Sequence, residues 1–294
     1  MQLNKYGEVT MDYKLADNGW TVMIDDFDME TATQEDINFI CKLISQHTLV
    51  VLKNQKPLSV ERQLEIIHMF KDPSPLFNKE DQNFADTAVD PDGLICRVTA
   101  EKNEHGKTGI GANPGDFDWH ANVTWRKIRE PIIWLHGIKG TKGSTTSYNN
   151  NVLTWKELPK IFKDKIRDYQ LIITGGVRHD GTPIFARDDE NRSEKFNHPL
   201  VYVSPLTGVE GMYFPYLQVR GFKDVPQAEA EELIKWLGEY TIQEKYIYHH
   251  HWEDGDIVLG DQWHGIHKRW KFVNLETRVL HRAALYYPEQ DYSV

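Results

Sequence analysis

Three stretches of the chain concentrate side chains that can bind metals, move protons or hold anions. The first is Asp116-Phe117-Asp118-Trp119-His120-Ala121-Asn122-Val123-Thr124-Trp125. The second runs from Gly255-Asp256 through Asp261-Gln262-Trp263-His264 to His267. The third is Arg278-Val279-Leu280-His281-Arg282. Imidazoles and carboxylates ligate divalent metals, and a guanidinium is the natural bidentate partner of a carboxylate. If the first stretch is extended, Asp116, Asp118, His120 and Asn122 share one face. Taken alone, His120 is more often a satisfied histidine than a ligand, and the matching spacing downstream is what raises it. His264 lies three residues before His267, close enough to support or contact a site, and Asp261 is an acceptor that could orient an imidazole or close a turn. The run His249-His250-His251 looks like a metal tract, but in a strand it alternates faces, so at most His249 and His251 could cooperate.

These residues need elements to hold them. Thr33 followed by Asp36 forms a capping-box pattern ahead of a helix near 34–47, whose Ile37, Ile40, Cys41 and Ile44 make an apolar stripe. Ser59 caps a second helix carrying Val60, Leu64 and Ile67. A third helix near 226–240 starts at Pro226 and turns Ala230, Leu233, Ile234 and Leu237 inward. Strand patterns occur at Leu49–Leu52, Ile132–Ile138, Leu171–Thr174, Leu200–Val203, Gly211–Phe214, Ile257–Leu259 and Arg278–Tyr286. Helices come early and strands late, which suits a β-core with supporting helices and not a doubly wound parallel sheet. The segment of about 72–118 is rich in Pro, Gly, Asn and Asp and reads as an irregular flap over a site.

Composition narrows the function classes. The 294 residues carry a formal net charge of -10, which disfavours a general nucleic-acid surface. No apolar run is long enough for a membrane span, and Met1–Thr10 lacks the apolar stretch of a signal peptide. Cys41 and Cys96 are the two cysteines; the first sits in an apolar helical pattern and the second in a strand-like run, and both read as buried free thiols. The expectation is one soluble, cytoplasmic domain over 1–294 with a small-molecule partner, with a homo-oligomer left open.

In order and spacing, these motifs resemble the taurine/2,4-D dioxygenase family of Fe(II)/2-oxoglutarate-dependent oxygenases. That family carries Trp-His-x-Asp, a Gly-Gly-Asp-Thr-like turn about 25 residues later, a distal His, and Arg residues 11 and 15 positions beyond it. Here Trp119-His120 opens the pattern, Lys142-Gly143-Ser144-Thr145 stands at the turn, and Arg278 and Arg282 follow His267 at those distances. Tyr148-Asn149-Asn150 before Trp155 and Leu158, and His198-Pro199-Leu200-Val201 before Pro205 and Thr207-Gly208, are also similar. The likeness covers roughly residues 20–288. It implies a double-stranded β-helix (jelly roll) of the clavaminate synthase-like kind with flanking helices, and oxidation of a small metabolite with Fe(II) and 2-oxoglutarate.

By position, the resemblance makes His120, Asn122 and His267 the metal set and gives Thr145 and Arg278 to 2-oxoglutarate. Arg282 would face the co-substrate or an anionic group of the substrate. Asp116 and Asp118 with Arg282 would suit an amino-acid-like molecule, and His264 and Asp261 would support the site from outside. The sequence departs from the family at Asn122, where an aspartate is usual. Four readings stay open: the amide ligates weakly in a working enzyme, the chain is a binding-only or substituted member, Asp118 supplies the missing carboxylate, or a coordination position is left open as in halogenating relatives.

Overall fold

The computed structural model describes residues 11–71, 87–112, 115–124, 129–173, 197–271, 277–288 and 290. Helix α1 (Gln34–His47) begins where the sequence places it, because the Thr33 side chain accepts from the Asp36 backbone and the Asp36 carboxylate accepts from the Thr33 backbone. Its buried face is Ile37, Ile40, Cys41, Leu43 and Ile44. Helix α2 (Val60–Phe70) is capped by Ser59, whose hydroxyl accepts from Arg62 N. Both helices pack on one face of a seven-stranded sheet.

That sheet runs β1 (Lys14–Leu15), β2 (Val22–Ile24), β3 (Leu49–Leu52), β14 (Ile257–Asp261), β6 (Ile132–Lys139), β16 (Val279–Leu285) and β4 (Ile95–Val98), and only the β2–β3 pairing is parallel. Its central strands lack polar alternation because both faces are covered. Val50, Leu52, Trp134, Ile257, Leu259 and Ala283 meet α1 and α2 on the outer face. Leu49, Val51, Ile133, Leu135, Val258 and Leu280 form the inner face and pack with Tyr148 and Trp252 of a second layer. Burying each such aliphatic side chain contributes roughly 1.5–3 kcal/mol.

The second layer is a four-stranded sheet ordered β13 (Ile247–His251), β7 (Thr145–Asn149), β15 (His267–Arg269) and β5 (Phe117–His120). Behind it lie a three-stranded sheet, β12 (Val219–Phe222), β8 (Gln170–Ile173) and β9 (Asn197–Pro199), and the pair β10 (Val201–Val203) and β11 (Glu210–Met212). Helices α3 (Asn151–Glu157), α4 (Lys160–Ile166) and α5 (Gln227–Thr241) complete the chain, and α5 buries Ala230, Ile234 and Leu237. The architecture is mainly β with flanking helices.

One expectation is refined. The region read as an irregular flap contains β4 and β5, while residues 72–86 and 113–114 lie outside the described residues. Strand β4 forms because the Asp90 carboxylate collects the backbone N–H groups of Asp92, Leu94 and Ile95, which aims the chain along the edge of β16. Cys41 and Cys96 are buried and form no disulfide, as their patterns suggest.

Candidate active site

Strands β5, β15 and β7 bring the chemistry together. His267 pairs with His120 on one side and with Tyr148 on the other, so all three side chains leave the sheet on one face. The imidazoles of His120 and His267 lie 4.2 Å apart between centroids, and the Tyr148 ring stacks on His267 at 6.0 Å. His120 Nδ1 is 2.6 Å from the Asp118 carbonyl, which can only accept. The proton therefore sits on Nδ1, and Nε2 keeps its lone pair. Burial pushes the His120 pKa down to about 4, with a smaller downward push from Arg269. Burial also takes His267 well below its ordinary value, helped by His120 and Arg282. Two neutral imidazoles side by side are what a metal ion requires of histidine.

Asn122 follows directly, and buried glutamines fix its backbone. Gln218 brackets Ala121, accepting from its N–H at 3.3 Å and donating to its carbonyl at 2.7 Å. Gln262 accepts from Asn122 N at 2.8 Å and donates to the Glu130 carbonyl. The next residue, Val123, is held at φ 42, a strained value for a β-branched side chain. His120 and His267 could give a metal two nitrogen donors, and Asn122, two residues after His120, carries an amide oxygen that could add a third. Among the described residues no three His, Cys, Asp or Glu side chains come together as a metal-binding group.

The structure reassigns Asp116 and Asp118. The pairing of β5 with β15 shifts between His267–His120 and Arg269–Phe117, which puts three residues of β5 against two of β15. This bulge breaks the alternation and brings the Phe117 ring to 3.9 Å from that of His120. Asp118 turns away and meets Lys268 at 3.3 Å, with Asp116 at 3.7 Å from the same ammonium. Asp116 also accepts from Lys271 N. Neither carboxylate shares the face of His120, contrary to the extended reading.

Thr145 is also displaced from its expected role. Its hydroxyl lies 3.1 Å from His251 Nδ1, and Ser147 meets His249 and Trp270 on the same face of β7. Tyr148 projects to the opposite face, and so does Thr146, whose hydroxyl accepts from buried Trp252 Nε1. The histidine run alternates as expected: His250 is buried against Asp256, while His249 and His251 lie on the outer face. His264 and Asp261 act as a buried unit. Asp261 binds the His264 ring at 2.9 Å and the backbone N–H groups of Trp263 and His264, and the far ring nitrogen lies 3.1 Å from the Tyr202 carbonyl. This unit shapes the turn that delivers His267 and does not orient its ring.

Three guanidinium groups are buried here. Burial, and secondarily the charge of Arg269, pulls Arg278 down to about 9. Arg269 stands two residues after His267 and opposite Thr146, and donates to the carbonyls of Gly111 and Gly115. Arg282 leaves the inner face of the larger sheet and donates to Glu130. Sequence reasoning missed Arg269, although a His-x-Arg pair in a strand shares one face. It also missed Tyr148 as a site residue, and Glu130, Gln218 and Gln262, whose roles arise from distant contacts. A cavity of 10 Å³, on the order of one water, lies beside His267 and is lined by Tyr148, Gly260, Asp261 and Gln262.

The site is a metal-capable histidine pair between two β-sheets, with buried guanidinium groups near it. The family model for the taurine catabolism dioxygenase TauD, TfdA family matches residues 14–284, and the chain belongs to that family. Its members are 2-oxoglutarate-dependent dioxygenases that use Fe(II). The chain is 22% identical to the pentalenolactone F synthase of Streptomyces avermitilis, over 86% of each protein. It is 24% identical to the (S)-phenoxypropionate/alpha-ketoglutarate-dioxygenase of Sphingobium herbicidovorans, over 94% of this chain and 90% of that one. Among solved structures, AAD-2 in complex with Mn(II) and N-oxalylglycine superposes with a TM-score of 0.75 at 15% identity, over 95% of this chain and 98% of that one. No helix among the described residues is long and apolar enough to cross a membrane.

Proposed function

We propose that the chain hydroxylates a small, amino-acid-like or anionic metabolite, with iron held by His120, Asn122 and His267 inside a double-stranded β-helix. The reading rests above all on the two buried, neutral imidazoles whose rings lie 4.2 Å apart. The antiparallel four-stranded sheet facing the seven-stranded one supports the β-helix. When bound, iron with 2-oxoglutarate and dioxygen supplies the oxidising power, and succinate and carbon dioxide are released.

The protein's own residues set the stage. His120 presents Nε2 because the Asp118 carbonyl holds the proton on Nδ1. The Gln218 and Gln262 clamp presents Asn122, whose amide oxygen brings no formal charge. Arg278, with the charge of Arg269 beside it, offers a buried cationic seat for the distal carboxylate of 2-oxoglutarate. Thr146 and Tyr148, not Thr145, share the face toward that seat. Arg269 ties Gly111 and Gly115 over the end of β15, which supports reading the segment before β5 as a flap that keeps water out. His264 and Asp261 hold the turn before His267 in place.

A second reading is favoured by one observation, the neutral amide at position 122: a member that binds the co-substrate without turnover, or a halogenase-like variant with a replaceable ligand. Succinate release with Fe(II), 2-oxoglutarate and ascorbate, screened across amino acids and sulfonates, separates the readings. The expected result is substrate-dependent release that His267→Ala abolishes. Release equal to that of the variant in every case would leave the binding reading.

A further inference from the structure

Glu130 is a carboxylate buried beside the Arg282 guanidinium, with only one of its two oxygens engaged among the described residues. Its side chain is fully buried at the entry to β6, in the sequence Arg129-Glu130-Pro131. One carboxylate oxygen, Oε2, accepts from Arg282. The other, Oε1, is buried with no hydrogen-bond partner among the described residues. A buried carboxylate oxygen left in that state is costly, and a donor from water or from a bound group relieves the cost.

The position of the pair says what kind of group. His281 turns outward to Gln63 of α2, so Arg282, the next residue of β16, turns inward with Leu280. The inner face is the one that Tyr148 and His267 approach from the smaller sheet, and the charge of Arg282 bears on the His267 imidazole. Gln262 joins the two regions, accepting from Asn122 N and donating to the Glu130 carbonyl. The other carboxylates nearby are engaged: Asp118 and Asp116 face Lys268 outside the site, and Asp261 is filled by His264 and two backbone donors.

We propose that Glu130 and Arg282 form a paired subsite for a zwitterionic substrate, Arg282 taking its carboxylate and Glu130 Oε1 its ammonium group. Without substrate the two protein charges neutralise each other, and an α-amino acid brings one charge of each sign to meet them. A plain carboxylic acid would satisfy Arg282 and leave Glu130 stranded. The subsite therefore rejects it by the cost of an unpaired buried charge, not by shape.

This inference rests on the oxygenase reading above, and the test separates the two. Protein loaded with Mn(II) and N-oxalylglycine is titrated by calorimetry with the protein L-amino acids, each beside its des-amino carboxylic acid. Failure of N-oxalylglycine itself to bind would remove the oxygenase reading. With that binding in place, at least one amino acid should bind ten or more times tighter than its des-amino partner. Glu130→Gln should bring that ratio to within about twofold while N-oxalylglycine affinity is retained. Equal binding of amino and des-amino acids by the native protein, or no binding of any amino acid at millimolar concentration, overturns the proposal. So does an unchanged ratio in Glu130→Gln. The comparison of ligands on the native protein stands even if that variant does not fold, and Glu130→Asp, which keeps the charge, should keep a preference for the amine.

Discussion

On the proposed reading, Asn122 sets how tightly the site would hold iron. Replacing a carboxylate by an amide keeps an oxygen donor and removes a charge, so the ion loses electrostatic attraction and not a coordination position. Asn122→Asp should tighten Fe(II) binding at least tenfold, about 1.4 kcal/mol, in an anaerobic titration. Unchanged affinity would show that position 122 does not face the metal. Asp118→Ala should leave iron affinity unaltered, because that carboxylate pairs with Lys268; loss of binding would restore Asp118 as a ligand. Arg278→Ala should weaken 2-oxoglutarate binding by roughly 100-fold, the loss of a strong charge-assisted contact. Thr145→Ala should change it by less than about twofold, since its hydroxyl lies with His251 on the far side of β7. The resemblance to the family singled out His120, His267, Arg278 and Arg282, and the structure brings the two imidazoles side by side. Thr145 and Asp118 were misread for one reason: spacing along a chain does not reveal which face of a strand a residue takes.

Elements explain that failure. The β5 bulge exists only in the pairing with β15, so no property of the segment 116–122 announces it. Where an element is fixed by its own residues, the sequence was a good guide. Helix α1 shows this, with its apolar stripe and its Thr33–Asp36 box both present as read. Thr33→Ala should cost about 1 kcal/mol in urea denaturation and leave 2-oxoglutarate affinity alone, since α1 packs on the outer face of the larger sheet. An equal loss of co-substrate binding would mean that the two layers are coupled more tightly than their separate cores imply. The buried central strands β3, β6 and β14 were likewise plain from their unbroken apolar runs. Strand β4 was signalled only by the strand-like run around Cys96, and the Asp90 turn supplies its direction.

Across the whole molecule, the interior is built around uncharged histidines. Burial pushes His120, His136 and His281 down to about 4 and holds His250 and His267 below their ordinary range. A histidine whose folded pKa lies below its unfolded value near 6.5 binds fewer protons when folded. Its stabilising share is therefore complete above about pH 6.5 and is lost as the pH falls toward 4. Each fully neutral imidazole should cost about 2 kcal/mol between pH 6.5 and 5. The metal-free protein should show a falling urea midpoint over that window, and a flat midpoint would contradict the burial of these rings. His120, Asn122 and His267 are proposed to hold iron where 2-oxoglutarate can reach both the metal and Arg278. Anaerobic titration of the protein with Fe(II) and 2-oxoglutarate tests it most directly. A weak visible metal-to-ligand charge-transfer band, lost in His267→Ala, is the expected result. No band at millimolar iron would contradict it.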